Sequence, residues 1–242
     1  MSQHDLITLL LLGMNGLALG IGFMVLGWML AVQRRNRLAQ LRAPAPAQSF
    51  FPFQSVPVRR PEVWLAIRAV SPEAVKTALG LHRAEPCSWV DGLAGNHEFF
   101  ISPRVHGWVI VTGRGLPNPT DDVDATFLFL AALSRQLGHV QYFYASRLLH
   151  HHGWARLDDG CVTRAYAWTG ETVWSQGVET IPEIEVDVRL FGYGEHAATI
   201  WDAETNFKKV PGLAARWSLD PAGVKLTGLP STTGIAGRTA FL

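Results

Sequence analysis

Residues Leu6 to Val32 form an apolar run of about 27 residues with no ionisable side chain and one strongly polar residue, Asn15. A helix rises about 1.5 Å per residue, so such a run spans a hydrocarbon core of about 30 Å with some tilt. Everything after it is constrained by that. Met1 to Asp5 contain no Lys or Arg, whereas Arg34, Arg35, Arg37 and Arg42 follow the run closely. A cleaved signal peptide has a basic start and a shorter apolar segment, so residues 1–33 read as a retained transmembrane anchor. Basic residues beside a membrane helix stay on the cytosolic side. The expected topology is a single-pass protein of a cell inner membrane or plasma membrane, with its N-terminus outside and its C-terminal domain in the cytosol.

Gly13, Gly20 and Gly27 recur every seven residues, and Gly16 falls three after the first. At about 100° per residue all four lie in one narrow sector of a helix. Gly16 and Gly20 also have the GxxxG spacing that lets two membrane helices approach closely. The expectation is a helix–helix contact face for a second copy or a partner membrane protein. The lipid bilayer is the other expected partner.

Residues 34–61 form a basic collar and then a spacer with Pro44, Pro46, Pro52, Pro57 and Pro61, which favour extended chain over helix. Residues 62–228 are the length of one cytosolic domain with a proper core. Eight of the nine Trp residues fall there, among β-branched residues, as a sheet packed with large aromatic side chains requires. From residue 229 the chain is rich in Gly, Thr and other small residues and reads as a mobile C-terminal tail.

Within the domain, Glu62–Val70 and His106–Thr112 read as strands, the second buried on both faces. Ser71-Pro72-Glu73 starts a helix that stops at Gly80, with an N-cap hydroxyl and proline at the first position. Thr120 to Asp124 places carboxylates at the start of a longer helix ending at Gly138, which is expected to be covered on more than one side. His139–Ala145 is then a strand, so strand, helix and strand form a β-α-β crossover. Asp158-Asp159-Gly160 joins His152–Leu157 to Cys161–Trp168 as a hairpin. A helix is expected from Thr180 to about Phe191, and a short one from Val210 to Trp217. The fold class is α+β: an N-terminal transmembrane helix followed by a mixed, mostly antiparallel sheet domain with one β-α-β crossover.

Chemistry is sparse. The formal net charge of +1 gives no footprint for nucleic acid. Two cysteines, Cys87 and Cys161, form neither a disulfide framework nor a metal motif. His150-His151-His152 lacks further spaced ligands, so no metal or cofactor is expected. Asp121, Asp122 and Asp124 suit a helix cap, and Gly113-Arg114-Gly115 lacks the rest of a phosphate-binding signature. Arg164, Tyr166 and Trp168 alternate on one strand, with Trp174 beyond the next turn. Arg, Tyr and Trp dominate binding hot spots, so these four are the expected binding surface. The sequence therefore favours a non-catalytic protein-binding or assembly domain at the membrane. The alternative is a membrane-tethered hydrolase using histidines and acids between residues 139 and 171, among them His139 and Glu171.

Overall fold

The computed structural model describes residues 59–69, 71–195 and 205–239 with their side chains, and 200–204 as backbone. The apolar run Leu6–Val32, its glycines Gly13, Gly16, Gly20 and Gly27, the basic collar and most of the spacer lie outside the described residues. Among the described residues no helix is long and apolar enough to cross a membrane.

The described chain is an α+β fold on one antiparallel sheet. Its strands are β1 (Val63–Ile67), β2 (Leu81–Ser88), β3 (Phe99–Ile101), β4 (Val109–Thr112), β5 (Val140–Ala145), β6 (His152–Asp158), β7 (Cys161–Trp168), β8 (Thr172–Gln176) and β9 (Thr233–Thr239). They lie in the order β2-β9-β3-β4-β1-β5-β6-β7-β8. Every pairing is antiparallel, so the sheet is not mixed. The strand–helix–strand unit exists, but β1 lies between its two strands. β4 and β5 each pair with β1, run parallel to one another, and share no ladder. The first strand of the domain thus fills the gap that the crossover leaves.

The helices are α1 (Pro72–Ala78), α2 (Trp89–Leu93), α3 (Val123–Leu137), α4 (Ile181–Glu185) and α5 (Ile200–Trp217). Their starts follow from local chemistry. Ser71 Oγ accepts from Ala74 N–H at 3.2 Å, with Pro72 at the first position. Asp122 Oδ1 accepts from Ala125 N–H at 2.9 Å at the positive end of α3. The hairpin turn holds Asp159 at φ +49° and Gly160 at φ +83°, two left-handed residues in the hand that matches strand twist.

Alternation along the strands sorts the core into two layers. One face carries Trp64, Phe100, Ile110, Phe143, Trp154, Tyr166 and Trp168 under α2 and α5. The other carries Leu65, Ile67, Val109, Val111, Val140, Tyr142 and Leu157 under α1 and α3. β1 is apolar throughout, and β4 is apolar up to its last residue, Thr112, because helices cover the sheet on both faces. Each fully buried Leu, Val, Ile or Phe contributes about 1.5–3 kcal/mol.

Three expectations change. Residues 233–239 are not a mobile tail but strand β9, between β2 and β3. Their small side chains are what that place admits: a Cβ on Gly234 would sit 2.3 Å from the Ile101 carbonyl oxygen. α5 begins ten residues before Val210 and runs through Pro211, which the sequence suggests as a starting residue. α3 is covered on one side only. Leu130, Ala131 and Leu133 are buried, while Phe127 and Leu128 face solvent.

Candidate functional site

Three regions hold the chemistry of the domain: the aromatic layer beneath α4 and α5, the lower end of the sheet where β5 begins, and the outer strand β8. The upper end, where β1 begins and β5 ends, adds a cleft.

Arg164, Tyr166 and Trp168 share one face of β7, but all three are buried. They are core, and of the four residues expected at a binding surface only Trp174 reaches solvent. Trp174 also points to the opposite face, where Phe127 of α3 meets it edge-on at 6.0 Å. Arg164 instead forms an ion pair with Glu183 of α4, the guanidinium 3% and the carboxylate 0% exposed. Glu183 also accepts from Trp154 Nε1–H at 2.6 Å and from the backbone N–H and hydroxyl of Thr180. Burial pushes its carboxyl up, but the hydrogen bonds from Arg164, Thr180 and Trp154 outweigh burial and hold it below the usual carboxylate range. This cluster clamps the short α4 onto the sheet beside β8.

The three consecutive histidines go to three different places. His150 stacks on Phe207 of α5 at 5.3 Å, and His151 Nδ1 lies 3.1 Å from Thr120 Oγ1. His152 is fully buried between Trp154 and Trp168. Its Nδ1–H donates to the His150 carbonyl at 3.1 Å, and its Nε2 accepts from Asn206 of α5 at 3.2 Å. Burial lowers its pKa to about 4, so the ring is neutral at pH 7. Among the described residues no group of three His, Cys, Asp or Glu side chains is arranged to hold a metal ion.

At the lower end, His139 donates through Nδ1 to Asp158 and accepts at Nε2 from Gln141 at 2.9 Å. Gln141 is buried and also donates to the Trp217 carbonyl at 3.3 Å. Its carboxamide oxygen and Nε of Arg156, the residue opposite on β6, are buried without a partner. An imidazole oriented by a carboxylate is one component of a general base. Both ring nitrogens are engaged here, neither by a hydroxyl or a thiol. His139 and His152 lie at opposite ends of the β5–β6 ladder, about 20 Å apart along a strand. Cys87 is buried 3.4 Å from His97, and Cys161 is exposed at the start of β7. Glu171 is exposed in the β7–β8 turn.

β8 closes one side of the sheet, and its five residues, TVWSQ, include no charge and no proline. Exposed apolar side chains border it. Phe127 and Leu128 lie on the α3 side, and Val178, Ile181 and Ile184 follow β8 in the chain. Ile181 and Ile184 sit on the outward side of α4, whose inner side is held by Glu183. Sequence reasoning missed Val178, Ile181 and Ile184 because each lies in a short segment without a periodic pattern, and Phe127 and Leu128 because α3 was expected to be covered on more than one side. The one available signal was an uncharged strand followed by isolated aliphatic residues.

At the upper end, a cleft of about 1500 Å³ is lined by Arg59, Arg60, Glu62, Arg114, Asp121, Arg147 and Lys208 among others. Arg60 pairs with Asp220 at 2.7 Å, and Arg114 donates to the Asn96 carbonyl at 2.9 Å. Gly113 and Gly115 serve packing here, since a Cβ on either would collide with Glu98 or Phe99 of the β3 segment. Comparison of the chain with protein-family models, with curated proteins and with solved structures yields no match.

Proposed function

We propose that this chain is a single-pass membrane-anchored protein whose domain from residue 62 onward faces the cytosol and binds a protein partner without catalysis. The membrane part of the reading rests on Leu6–Val32, with arginines on one side only. The binding part is carried by β8, an uncharged outer strand bordered by exposed Phe127, Leu128, Val178, Ile181 and Ile184. The Tyr193 hydroxyl takes up the backbone of Ser175, accepting from its N–H at 2.8 Å, so a further strand pairs with the backbone groups of β8 outside that position, and apolar side chains on both sides supply contact area. The glycine face at Gly13, Gly16, Gly20 and Gly27 gives the anchor a second contact, to another copy or a membrane partner.

Tagged full-length protein, solubilised from membranes in detergent, is expected to retain a partner that the Ile181→Asp, Ile184→Asp double variant loses. Equal retention by a folded variant overturns the assignment to β8. A membrane-tethered hydrolase is the second reading, favoured by the His139–Asp158 pair. It requires that full-length protein hydrolyse model esters and that His139→Ala abolish the activity.

A further inference from the structure

The turn between β5 and β6 holds two leucines in water. Ser146 N–H donates to the His151 carbonyl at 2.8 Å and closes the turn. Leu149 N–H reaches Ser146 Oγ at 3.4 Å, the His150 ring stacks on Phe207, and His151 is held at Thr120. His150 itself sits at φ +57°, a left-handed conformation that only surrounding contacts sustain in such a residue. So braced, the turn leaves Leu148 89% and Leu149 50% exposed. One exposed leucine means nothing. Two adjacent ones, on a turn held by these contacts, are a built feature.

Their surroundings indicate what covers them. Arg59, Arg114 and Arg147 line the cleft at this end of the sheet with Lys208 and with Arg60, which pairs with Asp220; the carboxylates Glu62 and Asp121 line it too. Arg147 adjoins the leucines directly, and Arg59, Arg114 and Arg147 are exposed. The chain also enters the domain here: Arg59 to Val63 line the cleft, and Ala145 N–H donates to the Glu62 carbonyl. Apolar side chains that insert, ringed by cations that meet phosphates, are the composition of an interfacial membrane contact.

We propose that this end of the domain docks on the anionic surface of the membrane that anchors it. Leu148 and Leu149 enter the acyl boundary, and Arg59, Arg114 and Arg147 pair with lipid phosphates. The inference rests on the anchored reading above. Docking turns the opposite, lower end of the sheet away from the bilayer and fixes the direction in which β8 is presented.

Full-length protein carrying Cys161→Ser and Leu148→Cys, labelled with an environment-sensitive fluorophore, tests this in vesicles of phosphatidylcholine alone or mixed with phosphatidylglycerol. A label at Glu179→Cys, exposed beyond the lower end of β8, is the control. The label at 148 is expected to shift to the blue and to be quenched by an acyl-chain quencher, more strongly with phosphatidylglycerol. The label at 179 should do neither. Arg59→Glu with Arg147→Glu should remove the phosphatidylglycerol dependence, since each arginine shifts docking about fivefold. A label at 148 that reads water in both lipids, on protein that floats with the vesicles, overturns docking and leaves the anchor intact. Protein that fails to float overturns both.

Discussion

The two outer strands of the sheet are built in opposite ways. β2 exposes five consecutive residues, His82 to Pro86, among them two charges and a proline. Its register with β9 shifts between His82 and Glu85, and Arg83 sits at φ +51°. Charge, proline and a bulge are the devices that keep an edge from accepting another strand. β8 has neither charge nor proline, although its register with β7 also shifts, between Ala167 and Trp168. The interior reverses this pattern: the β6–β8 side buries Arg164, Glu183 and His152. Hence β2 shows its charges and stays single, while the β8 side buries charges and shows apolar groups. In the reading proposed above β8 is the edge that a partner covers, and the contrast can be broken in several ways.

The largest effect is expected from Glu183→Ala, which leaves Arg164 buried and unpaired. Loss of one partner of such a pair costs about 3–5 kcal/mol, measured by denaturant unfolding of the domain. The double variant Arg164→Met, Glu183→Leu should recover much of that loss, because neither charge then remains buried.

Acid should act on the same side of the sheet. The His152 pKa of about 4 lies below the ordinary 6.5, so the unfolded chain binds the proton first. Its contribution is complete above about pH 6.5 and falls by about 3 kcal/mol as the pH drops to about 4. Unfolding midpoints measured across this window should slope in the wild type and be flatter in His152→Gln. The smallest change in stability is expected at β2. Glu85→Val with Pro86→Val should alter stability by only about 0.5 kcal/mol, yet produce concentration-dependent self-association visible by light scattering.

The elements that local chemistry dictates were legible in the sequence. Ser71-Pro72 and Asp122 announce α1 and α3, Asp159-Gly160 announces the hairpin, and the apolar run of β4 announces burial on both faces. Long-range placement was not legible. Nothing local in residues 233–239 says that they join strands more than 130 residues earlier, where close approach selects glycine. β1 between β4 and β5 is likewise a product of pairing across the chain. Arg164, Tyr166 and Trp168 misled because hot-spot side chains are also good core side chains once an acid such as Glu183 reaches the arginine. His139 and Asp158, 19 residues apart, meet because β5 and β6 are neighbours.

Site-specific photo-cross-linking in the living cell tests the central claim most directly. With the cross-linker at Val178 or Ile184 of the full-length protein, one defined adduct is expected at each position, and none with the cross-linker at Glu85 on β2. No adduct at the β8 side, or equal adducts at both edges, would contradict the account.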